Sequence, residues 1–461
     1  MRMSDTEAIM WAVEKDPALR SDFCNLTILE QPPDEERVGP TLQRAIETIP
    51  RLRQRVVGAP LRIATPAFAD DPTLDVEAHV RVVAVASPGD ERALLDLCGA
   101  LAEQPLDRAR PLWEFTLIDG LADGRTALLQ KVHHTITDGV GGLKLSLALV
   151  DFERDPDRSP DPGDTRVQGA DLPTRVTTPA SATRDAMVDA ANRGINTVRR
   201  TIAAAGHVVV HPTDIPGAAA GAVRLVNSFQ RQALVTDGAR SDVINGRSLR
   251  RHFEIYSAPF PPVHAAAANL GGSVNDAFVT TLASALGRYH ERRGSVVDEL
   301  RLAMPISTRP RGDQSTNRFV PARVLVPIQP AYDLRTLFGD VHERLRDTKG
   351  ETALYAAEGL AGIISSLPTS MLVAMTRSQT RTIDFAASNL RGSPVPLYIA
   401  GAQILATYPM GPRTGCALTV TMLTYRDDVQ IGLNIDPAAI VDIPAFMHDL
   451  DDAFNALRAL A

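Results

Sequence analysis

The sequence predicts an α/β protein built as two halves around a linker. Three observations carry that prediction. The chain has 461 residues, more than one hydrophobic core usually serves. Short apolar runs of strand character alternate with segments of helical period on both sides of the middle. Between Glu153 and about Arg184 the composition turns to proline, glycine and charge, and no periodicity survives. The division that follows is 1–152, a linker with connecting helices over 153–240, and 241–461.

Along the first half, HVRVVAVA (79–86) reads as a strand and ERALLDLCGALAEQPL (91–106) as a helix ending near Pro105. EFTLIDGL and TALLQKV read as two strands joined by a turn at Ala122, Asp123 and Gly124. VGGLKLSLALVDF (140–152) is apolar nearly all round, as a buried helix is. Beyond the linker, helical period is expected over 187–205 and, more weakly, 218–234, and RRHFEIYSA resumes strand character. Ser273 followed three residues later by Asp276 fits a capping box. Val274, Phe278, Leu282, Leu286 and Tyr289 continue it as one apolar stripe that Gly294 ends. LRLAMPIS, ARVLVPI and CALTVTMLTY are strand-like, and LRTLFGDVHERLRD is helical. Phe446, Leu450, Phe454 and Leu457 mark a closing helix.

Composition excludes several functions. A net charge of -7, with basic residues scattered, leaves no electrostatic footprint for nucleic acid. Three dispersed cysteines, Cys24, Cys98 and Cys416, form neither a disulfide frame nor a zinc motif and suit a cytoplasmic protein. The acidic opening MRMSDTEAIMWAVEKD is unlike a signal peptide. Gly359 to Thr376 lacks charge, but Pro368 and several hydroxyl residues argue against a spanning helix. A buried pair of core helices is the expectation there, with a lipid-touching surface as the alternative.

HHTITDG, His133 to Gly139, sits where a strand breaks into a helix. Adjacent histidines in extended backbone face opposite ways, so both can hardly ligate one metal, and no metal is expected. One imidazole can face a cleft while the other packs inward. A histidine near its ordinary pKa suits a general base at neutral pH, here for an alcohol attacking an activated acyl donor. Asp138 supplies an anion to the loop and Gly139 a sharp backbone path. The bland alternative is a polar turn with two structural histidines. No G-x-S-x-G nucleophile turn is present.

HHTITDG resembles the HHxxxDG signature of the CoA-dependent acyltransferase superfamily. PLDRARPLWEFTLIDGL, GGSVNDAFVTTLASALGRYH, RLAMPISTRPRGDQSTNRF and SNLRGSPVPLYIAGA resemble, in order, further segments of the bacterial wax ester synthase/diacylglycerol acyltransferase family. The resemblance implies two chloramphenicol-acetyltransferase-like α/β halves with an active-site channel between them. It implies His134 as catalytic base, His133 as its supporting neighbour, and Asp138 with Gly139 as part of the motif, Asp138 structural with Arg309 as partner. Pro111, Leu112 and Trp113 would shape a substrate pocket, although a tryptophan beside Pro-Leu is more often core. Asn275, Asp276, Ser388 and Asn389 fall on site segments, with helix capping as the rival role for Asn275 and Asp276.

The implied activity is acyl-CoA-dependent O-acyl transfer, making triacylglycerol from diacylglycerol, wax ester from a long-chain alcohol, or both. The implied partners are long-chain acyl-CoA, the acceptor lipid, and a membrane or lipid-inclusion surface touched from the cytoplasmic side. No cofactor is expected, because the acyl group arrives activated. The rivals are a condensation-type transferase with another acceptor and a catalytically silent lipid-binding protein.

Overall fold

The computed structural model describes residues 2–58, 65–136, 145, 147–156, 238–295, 297–307, 319–329, 333–349 and 368–461. The helices expected at 187–205 and 218–234, nearly all of the linker, and Asp138, Gly139 and Arg309 lie outside the described residues.

In chain order the strands are β1 (Asp22–Leu29), β2 (Gln54–Val57), β3 (Ala67–Asp70), β4 (Val80–Ala84), β5 (Trp113–Asp119), β6 (Thr126–His133) and β7 (His252–Pro259). They continue as β8 (Glu299–Ser307), β9 (Phe319–Pro327), β10 (Phe385–Arg391), β11 (Tyr398–Ile399), β12 (Ala402–Met410), β13 (Leu418–Tyr425) and β14 (Asp428–Ile435). Among the described residues they form a small β2-β3 pair and two six-stranded sheets, in the orders β11-β12-β1-β6-β5-β4 and β7-β14-β13-β10-β8-β9. The expected α/β class is what the chain adopts.

Local chemistry accounts for the elements that position the site. All eight residues of β6 are buried, as befits a strand paired on both edges and covered on both faces. Its Lys131 donates to the carbonyls of Leu101 and Gln104, and so closes the C-terminal end of the helix Glu91–Glu103. The capping box at Ser273 and Asp276 starts the helix Val274–Arg292, and Phe278, Leu282, Leu286 and Tyr289 are at most 1% exposed. That stripe packs against the closing helix Ile443–Arg458, whose Phe446, Leu450, Phe454 and Leu457 are fully buried. Burying side chains of this size stabilises by roughly 1.5–3 kcal/mol each.

One feature of the topology departs from a simple two-part chain. β11 and β12, near the C-terminal end, lie in the sheet otherwise built from residues 22–133. β12 pairs antiparallel with β1, from Cys24 against Met410 to Leu29 against Ile404. The segment 241–461 therefore supplies strands to both sheets. Without β12, β1 would be an open edge with its backbone groups unpaired. Gly432 on β14 lets that strand of the other sheet lie close against β12: a Cβ there would stand 2.3 Å from the carbonyl oxygen of Pro409.

The helix Thr369–Thr380 corrects the expectation of a buried helix pair over 359–376, as far as residues 368–376 describe it. Leu372 is buried, but Met371 is 54% and Met375 37% exposed. Among the described residues the helix packs through Leu372 and Val373 against the N-terminal helix Asp5–Val13. None of the described helices is long and apolar enough to cross a membrane.

Candidate active site

A cavity of about 660 Å³ lies between the two sheets, within the size range of small-molecule sites. Along β1, Phe23, Asn25 and Thr27 of one strand face line it, with Cys24 between the first two and Ser21 just before the strand. The opposite wall comes from β10 and β13, including Ser388, Asn389, Thr419 and Thr421. Part of the lining is apolar, with Leu149, Leu397, Ile399 and Ile404, which share one core cluster. Ile9, Met10 and Val13 of the N-terminal helix, and Thr376, border it as well.

His134 follows β6 directly and lines this cavity. Its backbone N–H donates to the carbonyl of Ser21 at 3.1 Å, which extends the β1–β6 ladder by one step. Its ring meets Phe23 at 5.1 Å between centroids. His133 faces the other way, as alternation along a strand requires, and is 2% exposed. Its Nδ1 accepts the N–H of Thr135 at 3.0 Å, so the proton of the neutral ring sits on Nε2. That Nε2 donates to Glu14 Oε1 at 2.6 Å. The same carboxylate oxygen accepts the N–H of Ser21 at 2.7 Å. Glu14 thus fixes both the buried histidine and the residue to which His134 is hydrogen bonded. Trp11 closes the edge of the His133 ring at 6.1 Å.

The other expected site residues divide. Asn275, Ser388 and Asn389 line the cavity together with His134. Asp276 does not. Its carboxylate accepts the Ser273 N–H at 2.7 Å and meets His342 Nδ1 at 2.9 Å, which is helix capping and packing. Pro111, Leu112 and Trp113 do not line the cavity either. Leu112 and Trp113 are 2% and 1% exposed, and Trp113 Nε1 donates to the carbonyl of Leu52 at 2.8 Å while the ring stacks on His79. Leu112 and Trp113 belong to the core cluster that also holds Leu149, Leu397 and Ile399, so they back the apolar part of the lining. Asp138, Gly139 and Arg309 lie outside the described residues.

Sequence reasoning passed over Glu14, Phe23, Asn25 and Gln130. Glu14 lies within the opening segment, yet nothing local marks it as the partner of a histidine 119 residues away. Cys24 also borders the cavity, but burial pushes its thiol up to about 12. It therefore stays protonated and is no nucleophile at neutral pH. Among the described residues no three His, Cys, Asp or Glu side chains are grouped as metal ligands would be.

The sequence model of the wax ester synthase/diacylglycerol acyltransferase catalytic domain matches residues 3–278. The model of the family's C-terminal domain matches residues 316–458. The chain belongs to this family. A Mycobacterium tuberculosis relative, provisionally named a diacylglycerol O-acyltransferase, is 31% identical over 100% of this chain and 93% of its own. A second from the same species, also provisionally so named, is 26% identical over 95% of this chain and 91% of its own. Among solved structures, the wax ester synthase/diacylglycerol acyltransferase of Marinobacter aquaeolei VT8 superposes with a TM-score of 0.64 at 22% identity, covering 100% of this chain and 99% of that one. The starter condensation domain of rhizomide synthetase, solved with C8-CoA and Leu-SNAC, gives 0.60 at 13% identity, covering 100% and 94%. Both share the fold. As a member of the family the chain is an acyltransferase.

Proposed function

We propose that the protein transfers a long-chain acyl group from acyl-CoA to a lipid hydroxyl, making triacylglycerol from diacylglycerol, wax ester from a long-chain alcohol, or both. The observation that carries this reading is the His134 ring in a largely apolar cavity walled by both sheets, with its neighbour His133 locked to Glu14. His134 takes the proton of the acceptor hydroxyl as the oxygen attacks the thioester carbonyl. The C–O bond forms, the C–S bond breaks, and the departing thiolate recovers the proton as CoA-SH. The acyl group comes already activated, so no covalent enzyme intermediate is required. Asp138 and Gly139 keep the roles the family resemblance implies, the first structural and the second a backbone turn.

The acceptor is apolar, so it must be collected from a membrane or lipid-inclusion surface, on the cytoplasmic side. The helix Thr369–Thr380 supports this: Thr376 borders the cavity while Met371 and Met375 face outward. His134→Ala should cut acyl transfer by ~10²–10⁴-fold, the usual loss on removing a general base, with unchanged melting. The check is a radiolabelled acyl-CoA assay with diacylglycerol and hexadecanol as acceptors. A purified variant that keeps more than about half of the wild-type rate would sink the base assignment.

A further inference from the structure

Away from His134 the cavity carries a polar cluster that acyl transfer itself does not use. Asn25 Nδ2 donates to Thr27 Oγ1 and to Gln130 Oε1, each at 3.1 Å. Thr407 Oγ1 donates to Asn25 Oδ1 at 3.1 Å. The Asn25 amide is thereby used on both of its ends, and its bond fixes the Gln130 amide with oxygen toward Asn25 and nitrogen away from it. Gln130 is 5% exposed and lines the cavity, yet its Nε2 donates to no described residue. Thr421, equally buried on the opposite wall, has a hydroxyl that likewise meets no described partner. Neither atom is sealed off by protein, so both donors open onto the cavity that their residues line.

We propose that Gln130, oriented by Asn25 and Thr407, is a second binding subsite of the cavity, one that takes a carbonyl oxygen of the substrate. The residue lies four positions before His134, roughly 13 Å along the strand at strand rise, and an even offset places both on one face. The donor pair of an amide matches an oxygen acceptor, which a saturated chain does not offer. Two substrate parts carry such an oxygen: the amides of the pantetheine arm of CoA and the esters of a glyceride acceptor. The assignment rests on the acyl-CoA transferase reading above, and it names the group that the cavity recognises beyond the reacting carbon.

The test reads binding and needs no turnover. Dissociation constants are measured in detergent for S-hexadecyl-CoA, a thioether that cannot transfer its chain, for dioleoylglycerol, and for hexadecanol, which has no carbonyl. Gln130→Met keeps the length and apolar bulk but removes the donors. It should weaken one of the first two ligands by about three- to tenfold, as one lost neutral hydrogen bond would, and leave hexadecanol within twofold. Weakening of the thioether assigns the pantetheine amide, and weakening of dioleoylglycerol assigns the glyceride ester. Equal weakening of all three, or of none, overturns the subsite. Should Gln130→Met melt far below the wild type, Gln130→Asn, which withdraws the amide by one methylene, carries the same comparison. A wild-type protein without turnover that still shows the selective shift would fail the transferase reading alone. Normal turnover with unchanged affinities would fail the subsite alone.

Discussion

Glu14 shows how one side chain can position another that it does not touch, here His134, the base proposed above. Its carboxylate holds His133 Nε2–H and the Ser21 N–H, and the Ser21 carbonyl holds the backbone of His134. Charge-assisted bonds of this kind are among the stronger ones in proteins. Glu14→Ala would leave two buried donors unmet, at about 1–3 kcal/mol of stability, and would loosen the strand start that seats His134. Turnover should then fall on the order of tenfold to a hundredfold, since small displacements of a base are costly. Glu14→Gln keeps an acceptor oxygen in place and should lose much less. Melting curves and the acyl-transfer assay on both variants check this. Equal behaviour of the Ala and Gln variants would mean that the contact is incidental to the base.

At the scale of elements the decisive piece is β12. It pairs with β1 and packs across on β13 and β14, and so joins the two sheets along the cavity. Thr407, which orients Asn25, comes from this strand. The fragment 1–152 keeps β1, β4, β5 and β6 but lacks β12. Its β1 edge and the cavity face would both be open, and open edges with apolar faces associate. Expressed alone, the fragment should be inactive and aggregate, as judged by size-exclusion chromatography. A soluble, monomeric fragment with cooperative melting would show that the sheet does not need its distant strand.

For the whole molecule the question is how a cavity with a mainly apolar wall meets its acceptor. The chain is net negative, so apolar insertion rather than attraction to anionic headgroups should dominate any contact with lipid. The described part of 359–376 presents two exposed methionines on a helix that also borders the cavity. Flotation with neutral liposomes should recover the protein, and high salt should leave it bound. Met371→Ser with Met375→Ser should reduce recovery, by the apolar area removed at ~25 cal/mol per Å². Failure of the wild type to float, or its release by salt alone, would exclude this attachment.

Much of this protein can be read from its sequence because the signals are local. Strand alternation and helical stripes follow from backbone periods of about two and 3.6 residues, and the Ser273 box, the closing helix stripe and the strands around His133 were legible on that basis. HHTITDG declared a histidine facing a cleft, because neighbours in extended backbone must diverge. Local pattern could not separate Asn275 from Asp276, adjacent residues of which one lines the cavity and the other caps the helix. Nor could it place Trp113, since core and pocket wall ask for the same apolar side chain. Tertiary structure alone decided that β12 completes the first sheet, that Glu14 clamps His133, and that Gln130 opens onto the cavity. Each depends on a partner brought from far along the chain: 119 residues for Glu14 and His133, 105 for Asn25 and Gln130, and 382 for Asn25 and Thr407. Pairing at such separations is fixed by the closure of the whole core, and no local period records it.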